Sequence, residues 1–336
     1  MRIRRRSTCW LTVLLMTAWG NAQAQQPPPR TAWGDPDLQG TWDYWTFTPL
    51  ERPTEFAGRE TLTPEEALQY AERLHKAAVT DRPATRGASV DAAPYSQAVW
   101  SDRGTKVTAL TQTSIIVDPP DGKIPPLTPE GAEKAAVHKA AGGHPVRIRT
   151  GGVGTDDPED RGVAERCLLG FSTGPPMLPG GYNNNVQIVQ SPGYVVLVLE
   201  MVHDVRIIPT HKDSSPPPGL RQWLGVSRGR WEGDTLVVRT TNFTDKTASI
   251  ANTGFAVGSA EHLTLIERFR RLDTGRLQYE FTVDDQGTFT RPFSGRLQMN
   301  FSDQPIYEYA CHEANYGLMH TLSGANSAEQ TPSAPR

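Results

Sequence analysis

After residue 24 the sequence has no apolar run long enough to cross a bilayer, which takes about 20 residues. Neither charge is in excess, with 34 Lys and Arg against 37 Asp and Glu, so composition points to no nucleic-acid partner. No G-x-S-x-G marks a nucleophilic serine. There is no phosphate loop or dinucleotide fingerprint, because Gly151-Gly152-Val153-Gly154 follows no strand signal and opens no helix. No histidine pair has the His-x-x-x-His spacing of a local zinc site. Cysteine is scarce, with three in 336 residues. Glycine and proline are abundant, at 30 and 28, about 17% of the chain against an average near 12%. So many helix breakers exclude a coiled coil or helical bundle. A hydrophobic share of 37% suffices for a core and excludes wholesale disorder.

The N-terminus reads as an address. Arg2, Arg4, Arg5 and Arg6 precede the apolar stretch Trp10 to Ala18, and Ala22-Gln23-Ala24 forms an A-x-A cleavage site. Residues 1–24 are therefore expected to be a signal peptide cut after Ala24, leading to a periplasmic or secreted protein. The remainder holds 30 basic against 37 acidic residues, a balance of −7, and keeps only Cys167 and Cys311. In an oxidising compartment these two are expected to pair. The bridge would close 144 residues, worth about 4–5 kcal/mol in the chain-entropy model.

Residues 25–160 read as an N-terminal wrapping segment with two short helices and long loops. Gly40-Thr41-Trp42-Asp43 opens a candidate strand. Thr63-Pro64-Glu65-Glu66 is a helix start, with a cap, a first-turn proline and a returning Glu, predicting a helix to about Ala78. Leu127-Thr128-Pro129-Glu130 predicts a second, to about Ala141. His75 and His138 fall near the helix ends and read as solvated. Residues 81–93 and 142–161 read as long loops, and Ser114 to Val117 as a buried strand.

Residues 161–322 read as the β core. Strand signals run over 186–190, 194–201, 202–208, 222–227, 235–243, 263–271, 276–283, 288–299 and 306–311, punctuated by Pro192-Gly193, Glu232-Gly233-Asp234 and Asp273-Thr274-Gly275. A meander of this length is expected to close into a barrel, which removes its edges. Gly40-Thr41-Trp42 and Gly229-Arg230-Trp231 resemble the G-x-W that opens the first strand of lipocalins (calycins). That resemblance implies a lipocalin-like barrel with tryptophan plugging one end. Residues 323–336 are small and polar and read as a disordered tail.

Longer phrases carry a second resemblance: Tyr182-Asn-Asn-Asn-Val-Gln-Ile-Val-Gln190, Glu200-Met-Val-His-Asp-Val-Arg-Ile-Ile-Pro209, Gln222-Trp-Leu-Gly-Val-Ser-Arg-Gly-Arg-Trp-Glu-Gly-Asp-Thr-Leu-Val-Val238 and Tyr309-Ala-Cys-His-Glu-Ala-Asn-Tyr316. Together they resemble a large family of exported, uncharacterised bacterial proteins. The family implies export and a choice of residues, and no reaction.

Chemistry concentrates in the apolar strand signal that runs into Glu200, His203, Asp204 and Arg206. Unbroken extension would put Glu200, Asp204 and Arg206 on one face and His203 on the other; a turn near Val202 would change that. Such charges need pairing or a wet cavity, and Arg206 could neutralise Glu200 or Asp204. A second cluster, His312, Glu313 and Asn315, follows Cys311. Glu267 and Arg268 point to opposite faces of one strand, and at least one is expected to be structural. The reading is an exported, cofactor-free acid–base enzyme (lyase, hydrolase or isomerase) with Glu200, His203, Asp204, Arg206 and His312 as catalytic groups. Tyr182, Asn184, Arg221, Trp223, Glu313 and Asn315 would bind an oxygen-rich, glycan-derived or aromatic substrate. A metal at His203, His262 or His312 stays open. The alternative is a non-catalytic periplasmic carrier barrel.

Overall fold

A computed structural model describes residues 29–79, 111–140, 157–211, 217, 219–252 and 256–330. The expected signal peptide (residues 1–24), the expected loop at 81–93, residues 142–156 and the side chain of His138 lie outside the described residues.

The helix signals act where expected. Helix α1 spans Pro64–Val79. The Thr63 hydroxyl accepts the Glu66 N–H at 3.2 Å, while the Glu66 carboxylate accepts the Thr63 N–H at 2.8 Å; each satisfies an otherwise orphaned donor. Helix α2 spans Pro129–Ala140, with Thr128 Oγ1 accepting from Gly131 N at 2.9 Å. His75 is not solvated as expected: it is half-buried edge-on against Phe47, with ring centroids 5.7 Å apart.

The alternating stretches form one antiparallel ten-stranded sheet. Its strands are β1 (Gly40–Asp43), β2 (Ile116–Asp118), β3 (Asn185–Ser191), β4 (Tyr194–Leu199), β5 (Val205–Pro209), β6 (Val226–Glu232), β7 (Thr235–Thr241), β10 (Thr264–Arg271), β11 (Arg276–Asp284) and β12 (Phe293–Ser302). Their order is β5-β4-β3-β1-β12-β11-β10-β7-β6, with β2 also paired to β12. A separate pair, β8 (Ile250–Ala251) and β9 (Ala256–Val257), lies between β7 and β10 in the chain. Among the described residues no backbone ladder joins the end strands β5 and β6. The wrapping segment thus contributes strands: β1 sits between β3 and β12. The expected strand at 306–311 is irregular, and the signal at 222–227 belongs to a strand starting only at Val226. Where the tail was expected, Tyr316–Gln330 forms helix α3.

Period-two alternation sends one side of every strand into a common core. On β11 these are Leu277, Tyr279, Phe281 and Val283, all buried. Phe281 lies directly opposite Gly295 of β12, where a Cβ would stand 2.2 Å from its ring, so no larger residue fits. Trp42 is fully buried and donates Nε1–H to the Leu38 carbonyl at 2.9 Å, with the Arg271 guanidinium 5.3 Å from its ring. Gly40, at φ +135°, leaves room for Phe301 beside that tryptophan.

Residues 160–180 hold little regular structure yet are mostly buried. Met177 and Leu178 join the main core. Buried irregular backbone must find partners for its polar groups. Here two tyrosines, Tyr44 just past the end of β1 and Tyr279 of β11, supply some of them. Tyr44 donates its hydroxyl to the Ser172 carbonyl at 3.2 Å, and Tyr279 accepts the Met177 N–H at 3.2 Å. Burial raises the pKa of both phenols, Tyr279 further through the neighbouring Glu267.

Within this apolar interior stands one ion pair. Arg206 of β5 makes two hydrogen bonds to Glu267 of β10, 2.9 and 2.5 Å. Its other contacts are Thr240 of β7 at 3.1 Å and Ser227 of β6 at 3.2 Å. Tyr279 donates to Glu267 at 2.9 Å. The side chains of the pair are 5% and 0% exposed. Burial opposes the charge on Arg206, but the adjacent carboxylate outweighs it and raises the guanidinium pKa. Arg206 therefore neutralises neither Glu200 nor Asp204, and Glu267 is the structural member of the Glu267–Arg268 pair.

Arg206→Met alone should cost about 3–5 kcal/mol, because it strands the Glu267 charge, whereas Arg206→Met with Glu267→Leu should recover most of that loss; urea denaturation measures both. Alkali gives a second check. Tyr44 and Tyr279 ionise near their ordinary value of 10.0 only when unfolded. Their contribution is intact below pH 10 and lost above it, by about 1.4 kcal/mol per pH unit for each phenol. Absorbance at tyrosinate wavelengths should show two of the nine tyrosines titrating only as the protein unfolds.

Candidate functional site

The charged phrase that follows β4 is a hairpin turn, not continued strand. Extension stops at Leu199, Met201–His203 form a single 3-10 turn, and β5 begins at Val205. The Leu199 N–H closes the turn on the Asp204 carbonyl at 2.8 Å. Val202 and His203 both have left-handed backbones, φ 59° and 44°, which for a β-branched residue is strained. Packing holds them there. Met201 and Val202 are buried against Phe171 and Cys167, and Gly170 allows the Met201 side chain to pass where a Cβ would stand 2.1 Å away.

Glu200, 3% exposed, uses both carboxylate oxygens. One accepts from Asn185 Nδ2 at 2.8 Å and the other from the Tyr307 N–H at 3.0 Å. The irregular strap that follows β12, residues 303–315, is thereby laid across the hairpin. His203 Nδ1 lies 3.3 Å from the Tyr309 carbonyl; that acceptor requires a proton on Nδ1. Tyr182 stacks on Tyr309 at 6.4 Å and 13°, with Phe171 edge-on behind it. The disulfide Cys167–Cys311 fastens the strap to the buried irregular segment. Asn315 Nδ2 adds bonds to the Glu165 carbonyl at 2.9 Å and to Cys167 Sγ at 3.8 Å.

Between strap and segment opens a cleft of about 430 Å³, lined by Ala164, Glu165, Asn183, Glu308, Tyr309, Ala310, Cys311 and Asn315. Two acidic residues and two asparagines line it, and among the described residues no basic residue does. Glu165 is fixed by Arg161 at 2.8 Å and the Gly162 N–H at 3.0 Å. Glu308 is exposed, without a partner among the described residues. Asn183 is left-handed at φ 52°, a conformation its short polar side chain tolerates.

Of the residues singled out in the sequence, Tyr182, Glu200, His203, Asn315, Cys167 and Cys311 meet around this strap. Asp204 ends the hairpin and accepts the Gly170 N–H at 3.4 Å. Arg206 is absent from the group, being held by Glu267. Asn184 is buried and locks Gly180 through two bonds, 2.6 and 3.2 Å. Arg221 serves a different loop, donating to the Phe243 and Glu261 carbonyls at 2.9 Å each, and the Trp223 carbonyl accepts from Thr247 at 2.9 Å. His312 and Glu313 are exposed beside Cys311. The five proposed catalytic side chains are thus dispersed. Glu165 and Glu308 carry no local signal beyond nearness to the two cysteines, and Asn183 stands in the phrase beginning at Tyr182 without being distinguished there from its neighbours. No cluster of three or more His, Cys, Asp or Glu suited to a metal, and no helix long and apolar enough to cross a membrane, occurs among the described residues.

Glu200→Ala should leave Asn185 and the Tyr307 N–H unpaired, costing about 1–3 kcal/mol. Hydrogen exchange should show the Tyr307 amide deprotected while the amides of β11 keep their protection.

Comparison with protein-family models, with curated proteins and with solved structures finds no match for this chain.

Proposed function

We propose that this is an exported binding protein whose ligand is a small neutral or cationic molecule rich in hydroxyl groups, seated in the cleft under the strap. The carrying observation is the lining: Glu165, Glu308, Asn183 and Asn315 line the cleft, and among the described residues no basic residue does. Carboxylates and carboxamides accept from hydroxyl and ammonium donors, and an anionic ligand would be repelled. The Tyr309 ring gives an apolar wall of the kind a sugar face packs on. Export is supported by the leader, the disulfide and the phrases that resemble an exported bacterial family. The sheet is read as a lipocalin-like barrel whose seam, between β5 and β6, is closed by side chains. Supporting this, Arg206 reaches Ser227 across it, and Gly229 comes so close that a Cβ would lie 3.0 Å from Ile208 and 3.1 Å from Thr210. The interior is occupied by Trp42, Tyr44, Phe269, Tyr279, Phe281, Phe289 and Phe293, all buried, which directs the ligand to the cleft rather than to the core.

A second reading keeps acid–base catalysis, and the strained backbone at Val202 and His203 favours it, since such strain gathers at functional sites. His203 and Glu308 would then exchange protons with a substrate in the cleft, and Glu200 would position the strap.

Calorimetry and thermal melts against a neutral sugar, an amino sugar and a uronic acid test the binding reading. The first two should bind the cleft, and any binding of the third should be weaker and unchanged by Glu308→Gln. A ligand at a hundred times its Kd should add about 2.7 kcal/mol of stability, and Glu308→Gln should weaken the amino sugar at least tenfold. If none of the three raises the melting temperature, or the uronic acid binds best, the reading fails. Turnover that is abolished by His203→Ala would instead establish the enzyme.

A further inference from the structure

The outward side chains of β12, β11, β10, β7 and β6 form one continuous face, because these strands are hydrogen-bonded neighbours in that order. Seven arginines project from it, Arg228, Arg230, Arg239, Arg268, Arg270, Arg276 and Arg296, against three acids, Glu232, Glu280 and Asp284; Arg276 is held by Asp273 of the adjoining turn. The register arranges them in rows. Arg228 is opposite Arg239; in the next row Arg230, Val237, Arg268, Glu280 and Arg296 stand side by side. Val237 points outward in the middle of that row and is nevertheless fully buried, as it would be with arginine stems lying over it. A local excess of positive charge thus stands out on a chain whose formal net charge is −3.

The arginines differ in what already satisfies them. Arg230 and Arg268 share Glu232, and Arg296 holds Glu280. Arg239 and Arg270 have no carboxylate partner among the described residues; each makes only one long contact, to Thr264 and Gln278 respectively, at 3.4 Å. Beside Arg270 a depression of about 120 Å³ lies among Glu232, Thr235, Arg268, Gln278 and Glu280. Its two carboxylates are already paired with Arg230, Arg268 and Arg296, and Arg270 is the lining cation without a carboxylate partner among the described residues. Every cation of the face is arginine, whose planar fork pairs bidentately with carboxylate or sulfate.

What the face lacks narrows the partner further. The exposed large apolar side chains lie elsewhere, on Val189, Tyr194, Val205, Ile207 and Leu220 for example; on these five strands only Phe301, at the far end of β12, is exposed. Without aromatics there is no platform for stacked bases. Without an apolar centre there is no protein hot spot, and nothing to insert into a lipid layer. We propose that this face binds an acidic polysaccharide, a chain of sugars bearing carboxylate or sulfate groups, with Arg239 and Arg270 making the new contacts.

Binding of the full protein to polygalacturonate and to dextran sulfate tests this, the two arms separating carboxylate from sulfate recognition. Neutral dextran, a single-stranded oligonucleotide and phosphatidylglycerol vesicles serve as comparisons. At least one acidic polysaccharide should bind at low salt, more tightly than all three comparisons, and weaken at least tenfold between about 50 and 200 mM salt. Arg239→Gln with Arg270→Gln, which breaks no ion pair, should lose at least fivefold in affinity with an unchanged melting curve. Arg239→Lys with Arg270→Lys, which keeps the charge, should fall between that and the native protein. The proposal is overturned if neither polysaccharide binds, if the oligonucleotide or vesicles bind more tightly, or if both double variants bind like the native protein.

Discussion

The architecture depends on one buried contact, the hydrogen-bonded pair of Arg206 and Glu267. Arg206 lies on β5, at one end of the strand order, and the same guanidinium reaches Ser227 on β6, at the other end. Glu267 lies between them on β10, so three strands distant in the ladder share one charge pair. In an apolar interior, neither member is tolerable without the other. The pair therefore makes the curvature of the sheet obligatory, since a flatter sheet would carry Arg206 away from its carboxylate. Close approach at Gly229 is the steric side of the same demand.

Much of the fold was legible because its signals are local. The capping box at Thr63 spans four residues, a hairpin turn two or three, and strand alternation can be counted within one strand. The disulfide was legible because two cysteines, Cys167 and Cys311, follow residue 24. What escaped was non-local. Arg206 meets a partner 61 residues away, and nearer acids, Glu200 and Asp204, made a more economical reading of the sequence. A turn near Val202 was one of two readings the sequence left open, because a β-branched residue is a poor candidate for a left-handed backbone, and packing of Met201 and Val202 against the irregular segment decides for it. That segment, assigned to the β core from the sequence, carries no strand signal, and its backbone finds partners in the hydroxyls of Tyr44, just past β1, and Tyr279 of β11.

The candidate site illustrates how irregular chain is given a fixed shape. Neither the segment before β3 nor the strap after β12 has a ladder of its own. Each is held by single bonds of different kinds: a carboxylate to a backbone amide, a disulfide, an amide to a carbonyl, and two stacked rings. Function on loops carried by a rigid sheet is a common division of labour, and here the ties fall at Glu200, Cys311, Asn315 and Tyr309. The cleft and the arginine face are consequently supported by different means, the first by cross-links between loops, the second by strand register alone.

Strand β1 has one more consequence. It is the first strand in the chain, and its two neighbours, β3 and β12, belong to separate meanders, β3-β4-β5 on one side and β12-β11-β10-β7-β6 on the other. Among the described residues, only β1 joins these halves by a backbone ladder. A chain made from its N-terminus onward therefore holds its keystone from the start but has to wait for its last strand, more than two hundred residues later, before the keystone can be locked. Until then β1 offers an unpaired edge, and protection of that edge, rather than formation of any hairpin, is the step at which this molecule is most exposed to mispairing.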